Sequence, residues 1–216
     1  MAKSLYLLGA GGHGRVLLDA LQASGVQVTG ILDPGLEVGQ RIYDIPVLGG
    51  DRVLESIDPA TCHLVNGIGA NPSIASRRQL FIKWSSQGYT FSSVIHPTAI
   101  ISKQTNIAES CQIMAGAIVQ AGVTLGQDVV VNTRASVDHD CVVADHCFIS
   151  PGAILCGNIT LEQSTFIGAG AVTLPGLHIG ANSIIGAGTV VPKTIPRHWI
   201  VAGSPAQKVG VNTQHD

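Results

Sequence analysis

Gly9-x-Gly11-x-x-Gly14 lies between the apolar run Ser4 to Leu8 and an apolar-periodic stretch that opens at Arg15, and Asp33 follows nineteen residues after the last glycine. Glycines so spaced between a strand and a helix let backbone N–H groups and the helix dipole hold a phosphate. A carboxylate at the end of the next strand can take a ribose hydroxyl. Alone, the pattern reads as dinucleotide binding, but about ninety residues of α/β sequence make only one mononucleotide-binding half. Proton transfer is the second chemistry on offer. Among the eight histidines, His139 stands between two carboxylates in Val137-Asp138-His139-Asp140-Cys141, and an imidazole with a pKa of about 6.5 accepts a proton near neutral pH. His139 and His146, seven apart, lack the ligand spacing of a zinc site on a strand edge. Cys62, Cys111, Cys141, Cys147 and Cys156 form an odd set with no CxxC pair. They read as buried thiols of a cytosolic protein, neither a disulfide framework nor a metal site.

The elements that must position these groups change character along the chain. Ser4 to Leu8 reads as a strand, Arg15 to Ala23 as a helix burying Val16, Leu17, Ala20 and Leu21, and Val26 to Leu32 as a second strand. His63 to Ile68 reads as a third strand, ending at Gly69-Ala70-Asn71-Pro72, and Ser73 to Gln87 as a helix. From Val94 to Ile195 the sequence divides into seventeen hexads without insertion, and the second position is Ile, Val or Leu in sixteen of them, Thr173 being the exception. The fifth position is often Gly, Ser, Asn or Asp. A period of six fits neither a helix nor a half-buried strand. It fits a hexapeptide β-helix in which three hexads close a triangular coil, the second-position aliphatics stack inside, and the coils rise to roughly 25 Å at about 4.8 Å per layer. The expected organisation is a Rossmann-like half domain over residues 1–92 and an all-β parallel β-helix with a C-terminal tail over 93–216.

Composition narrows the function. Twelve Lys and Arg against fourteen Asp and Glu leave a net charge of −2, and only 12% of the residues are charged, so no basic field exists for nucleic acid or an anionic membrane. Twenty-six glycines against 4% aromatics fit many tight turns and stacked small aliphatics. The N-terminal MAKSLYLLGAGGHG runs straight from a short apolar stretch into the glycine loop, and no apolar run approaches the roughly 18 to 20 residues of a membrane span. A cytoplasmic protein without membrane insertion is expected.

The chain resembles the left-handed β-helix acyltransferases. Within them it resembles the sugar acetyltransferases of the sialic acid O-acetyltransferase and bacillosamine N-acetyltransferase type. The residues that carry the likeness are the Gly9 to Gly14 loop, Ile31-Leu32-Asp33, Gly67-Ile68-Gly69, Asn132 to Cys141 and Val201 to Ala206. The resemblance implies acetyl transfer from acetyl-CoA, without a metal, to an amine or hydroxyl of a sugar. It also implies a homotrimer with active sites between neighbouring subunits. An acceptor amino group on a nucleotide-linked amino-deoxy sugar, for surface glycan biosynthesis, fits the half domain best; O-acetylation of a sialic-type sugar is the alternative.

Carried over by motif, His139 is the general base and Asp140 the residue that holds its imidazole. Asp140 occupies a fifth hexad position, from which an extended strand would point its side chain inward and away from His139; a backbone turn at a coil corner would let the two meet. One coil after His139 comes Gly157, whose missing side chain is expected to leave room for the thioester beside the imidazole. Its N–H is the implied oxyanion donor, an interaction worth roughly 3 kcal/mol, and a turn glycine needing positive φ is an equally good reading. Ala169 and Ala187 are placed along the pantetheine arm of acetyl-CoA. Gly11, Gly12, His13, Asp33 and Gly69 are placed around the nucleotide of the substrate. One departure stands out: a second histidine that many relatives carry nine residues after the base is Phe148 here, and His146 reads as a buried structural histidine.

Overall fold

A computed structural model describes residues 3–213. The chain divides into two compact units, one of Met1–Ala70 with Ser76–Pro97, the other of Asn71–Ala75 with Thr98–Asp216.

In the first unit, β1 (Ser4–Leu8) is central, with β2 (Gly30–Leu32) and then β4 (Ile45–Gly49) on one side and β5 (Cys62–Asn66) on the other, all parallel. β3 (Arg41–Ile42) pairs antiparallel with β4 at the edge, a hairpin the sequence pattern does not announce. The strand expected from Val26 is shorter, opening only at Gly30. Helix α1 (Gly12–Ala23) begins inside the glycine loop and buries Leu17, Leu18, Ala20 and Leu21, while Val16 stays 44% exposed. Helix α2 (Ala75–Ser85) buries Phe81 and Trp84 against Leu54, Leu64, Tyr89 and Phe91. The chain leaves β1 toward β2 and later returns to β1's other side as β5, so the strand order reverses at β1, and open α/β sheets bind ligands outside the C-terminal strand ends at such a point.

The second unit is the hexapeptide β-helix. Two-residue strands recur every six residues, and each pairs in parallel with the strand eighteen residues on: Ser136 with Ile154, Val142 with Thr160, Phe148 with Phe166. Three sheets result. One contains the strands from Ile100–Ile101 to Val190–Val191, the second those from Asn106–Ile107 to His178–Ile179. The third contains those from Gln112–Ile113 to Ile184–Ile185 and closes with Trp199–Ala202 paired antiparallel to Gln207–Val211. The second-position ladder is buried from Ile113 to Val191, Thr173 included; Ile101 and Ile107 pack at its start, and Ile95 is 44% exposed. Sixth-position residues such as Cys111, Ala135, Cys141, Cys147 and Ile159 also fill the core. The thiols of Cys111, Cys141 and Cys147 donate to carbonyls of Gly126, Cys156 and Glu162 at 3.1–3.2 Å, and burial pushes the Cys147 thiol up to about 12.

Fifth-position residues do something different from what their composition alone says. Every one from Ser110 to Gly188 has φ between 55° and 76°, the left-handed region that Gly, Asn, Asp and His enter most easily. These turns form the three edges of the prism, and their side chains need not point inward.

Candidate functional site

The edge between the first and second sheets carries His139 and Asp140. Asp140 has φ 57°. The corner turn therefore prevails over the inward strand orientation: the left-handed backbone swings the carboxylate outward, where its side chain is 67% exposed and that of His139 61%. Nδ1 of His139 lies 2.9 Å from Oδ2 of Asp140. A carboxylate only accepts, so Nδ1 holds the proton and Nε2 keeps the free lone pair. The Asp140 hydrogen bond raises the His139 pKa above the ordinary histidine value against the opposing effect of desolvation, with smaller help from the charges of Asp138 and Asp140. Asp138 fixes the backbone, its Oδ1 accepting from the His139 N–H at 2.8 Å.

Two glycines make the room for this pair. Gly122 lies one coil before Asp140, and an added Cβ there would overlap Oδ1 of Asp140; an added Cβ on Gly157 would overlap the imidazole of His139 around Nε2. The imidazole thus occupies the space directly over Gly157. Gly157 does not adopt a positive φ; its neighbour Asn158 does, at 60°. Glycine is required at 157 for close approach alone. The Gly157 carbonyl accepts from Gly176 N–H at 3.0 Å, whereas its own N–H meets no acceptor among the described residues.

Ala169 and Ala187 are exposed and stacked one coil apart, with the Ala169 carbonyl accepting from Gly188 N–H at 2.8 Å. They lie on another edge, between the third and first sheets, and one chain does not bring them to His139. His146 sits on the remaining edge, also at φ 60°. Its Nδ1 is 3.1 Å from Oδ2 of Asp128, one coil earlier, and the two side chains are 13% and 1% exposed. The eighteen-residue period held the signal for this pair and for Gly122 under Asp140. Phe148 stacks on Phe166 with centroids 5.8 Å apart.

In the first unit, α1 begins at Gly12 with Gly11 as its N-cap and no side-chain cap, so its first-turn N–H groups have no intrahelical partners. An added Cβ on Gly11 or Gly12 would meet nothing within 4 Å, whereas Gly14 and Gly67 both press against the Gly9 carbonyl. The two kinds of glycine therefore differ: Gly14 and Gly67 are needed for packing, Gly11 and Gly12 leave the helix end open. Asp33 accepts from Ala10 N–H at 2.8 Å with Oδ2 and from Gly35 N–H at 2.8 Å with Oδ1; it holds the loop in place before any ligand is considered. An added Cβ on Gly69 would come within 3.1 Å of the His13 Cβ, so a larger residue there would push the histidine. Buried Arg77 donates to the carbonyls of Asn66 and Ile68 at 3.2 and 2.9 Å, setting the turn that carries Gly67 to Gly69. Sequence reading missed it, since an arginine in a mixed-charge helix looks like surface.

Among the described residues no group of three or more His, Cys, Asp or Glu could hold a metal ion, and no helix is long and apolar enough to cross a membrane.

Residues 4–83 match the family described as PglD N-terminal domain, and residues 158–193 match the bacterial transferase hexapeptide family. The acetyltransferase domain of PglB from Neisseria gonorrhoeae, solved with acetyl coenzyme A, is 33% identical with a TM-score of 0.88, covering 97% of this chain and 100% of that one. A histidine-to-asparagine variant of perosamine N-acetyltransferase from Caulobacter crescentus, solved with CoA and GDP-perosamine, is 31% identical with a TM-score of 0.89, covering 97% and 98%. Among curated proteins, the acyl-(acyl-carrier-protein)-UDP-N-acetylglucosamine O-acyltransferase of Aliivibrio fischeri is 30% identical over 118 residues, 54% of this chain and 45% of that protein. The chain thus spans less than half the length of the curated relatives it matches. With near-complete coverage at more than 30% identity, the chain belongs to the hexapeptide-repeat sugar N-acetyltransferases of the bacillosamine type.

Proposed function

We propose that the protein transfers the acetyl group of acetyl-CoA to the amino group of a nucleotide-linked amino-deoxy sugar, such as a UDP-4-amino-4,6-dideoxy sugar, in surface glycan biosynthesis. The observation that carries this reading is the His139–Asp140 pair seated over Gly157, in a chain whose solved relatives hold acetyl coenzyme A, or CoA with GDP-perosamine. Nε2 of His139 takes a proton from the acceptor amine as its nitrogen attacks the thioester carbonyl. The carbonyl oxygen gains negative charge, which the Gly157 N–H is free to bind. Collapse expels CoA thiolate, and the imidazolium returns the proton to it.

A homotrimer supplies what one chain lacks. The outward positions of the first sheet are Ile100, Ile118, Ser136, Ile154, Val172 and Val190, with Ile100 64% and Ile154 43% exposed. This apolar face is what a symmetric association would cover. It is flanked by the His139 edge on one side and the Ala169–Ala187 edge on the other. Three copies turning it to a common axis bring the first edge of one beside the second edge of the next, so that Ala169 and Ala187 line the pantetheine arm beside a neighbour's His139.

The functional test is acetyl-CoA consumption against a panel of nucleotide amino sugars and free or activated sialic acids. Turnover with the amino sugars alone supports the proposal, and turnover with the sialic acids alone replaces it with O-acetylation.

The pair also fixes a pH dependence. The base works unprotonated, so the rate falls as pH drops through the raised His139 pKa, and the rising limb of kcat/KM lies above about 6.5. In Asp140→Asn the main cause of the increase is gone, and the limb moves to lower pH together with a loss of rate smaller than that of removing His139. A limb that stays in place would mean that Asp140 does not act on the imidazole.

Gly11, Gly12, His13, Asp33 and Gly69 are proposed as the nucleotide cradle, at the open helix end. Asp33→Ala removes the tether on the Ala10 and Gly35 N–H groups. It should raise the KM for the nucleotide sugar about tenfold while leaving that for acetyl-CoA within about twofold, since this is binding lost equally from ground and transition states. Calorimetry that found micromolar NAD binding, abolished by Asp33→Ala, would contradict the assignment.

A further inference from the structure

The left-handed turns sort by edge. The His139 edge has Gly122, Asp140, Asn158 and Gly176, the His146 edge Ser110, Asp128, His146, Ser164 and Asn182, and the third edge Gly116, Arg134, Gly152, Gly170 and Gly188. Glycine and short polar residues are what such turns select. Arg134, with φ 57°, is the one long cationic side chain among them, on the edge where every other turn is glycine. It is exposed, and its Cγ lies 3.5 Å from where a Cβ would stand on Gly116 one coil earlier, so the side chain runs along the outside of the edge. Its guanidinium makes no hydrogen bond or ion pair with any described residue. Local conformation disfavours this residue here and nothing among the described residues compensates, which points to a ligand outside the chain.

Arg134 shares its edge with Ala169 and Ala187 and its coil with His139, five residues before it. In the threefold arrangement proposed above, Arg134 of one copy therefore stands level with His139 of the next. That level is one coil before Gly157 and away from the later coils that carry Ala169 and Ala187. We propose that Arg134 is an acceptor-binding residue whose guanidinium takes anionic oxygens of the acceptor, the diphosphate of a nucleotide sugar in the reading favoured here. The planar fork suits two such oxygens at once. The inference rests on the shared-site reading and adds a specificity element to it.

The test compares Arg134→Gly and Arg134→Lys with the wild-type protein in thermal unfolding and in steady-state acetylation, using the nucleotide amino sugar and the same amino sugar as a neutral glycoside. Arg134→Gly should hold or raise Tm, because glycine suits the turn. It should raise the KM for the nucleotide sugar by about tenfold or more, leaving the KM values for acetyl-CoA and for the glycoside within about twofold; Arg134→Lys should recover part of the loss. If the accepted substrate is a sialic-type sugar, the same comparison between its carboxylate and its methyl ester identifies the carboxylate as the anion. An unchanged acceptor KM in Arg134→Gly, an equal loss on the neutral acceptor, or a loss confined to acetyl-CoA would overturn the inference alone. A wild-type protein that acetylates none of these acceptors would overturn the functional reading and this inference with it.

Discussion

His139→Ala should lower kcat for acetyl transfer by about 10² to 10⁴, the usual range for loss of a general base, with the fold and acetyl-CoA binding kept. The structural side of that expectation follows from exposure: the imidazole is 61% exposed and contributes nothing to the buried ladders, so its removal leaves the β-helix core untouched. Calorimetric binding of acetyl-CoA and thermal unfolding of the variant check those two conditions, and steady-state rates check the third. Near wild-type turnover in His139→Ala, combined with loss in His146→Ala, would mean that the working histidine is the one paired with Asp128. His146 is poorly placed for that role, because its side chain is only 13% exposed and stands on a different edge from Gly157.

Gly157→Val should be nearly as damaging through another route. The backbone at 157 is not in the left-handed region, so a β-branched residue is tolerated by the chain and Tm should change little. The added side chain would occupy the volume of the imidazole ring around Nε2, forcing His139 away from Asp140 and crowding the N–H proposed to bind the carbonyl oxygen. A loss of about 10² or more in kcat is expected, close to that for removing an oxyanion donor, with a rise in the KM for acetyl-CoA. His139→Ala combined with Gly157→Val should be far from additive, since both changes remove the same imidazole. Full activity in Gly157→Val would show that the ring does not need the place it occupies here.

Much of this was legible in the sequence because a solenoid repeats itself. Once the hexad register is set by Ile113, Val119, Leu125 and their successors, adding eighteen to any position gives its stacked neighbour, and Gly157 over His139 follows. What the register alone hides is direction. Asp140 reads as inward from an alternating-strand rule, and it points outward because the fifth position is a left-handed corner, not an extended residue. The same misreading hides Arg134, which in a one-dimensional view is just another surface arginine. In the α/β unit, Gly9, Gly11 and Gly14 look equivalent in the motif. Only coordinates separate Gly14, pressed on a carbonyl, from Gly11, which faces open space. The antiparallel pair Arg41–Ile42 and Ile45–Gly49 was invisible because two-residue pairings carry too little alternation to register, and Arg77 because burial of a cation cannot be read from its letter.

Amide formation on a nucleotide-linked amino sugar, with His139 as the base, leaves a product whose bond type can be read. Its most direct measurement is incubation of the wild-type and His139→Ala proteins with carbonyl-labelled acetyl-CoA and a nucleotide-linked 4-amino-4,6-dideoxy sugar, followed by NMR of the product. The wild-type protein should place the label in an amide at the sugar nitrogen, resistant to hydroxylamine, and the variant should form none. Label in a hydroxylamine-sensitive ester, or amide formed at equal rates by both proteins, would contradict amide transfer with His139 as the base.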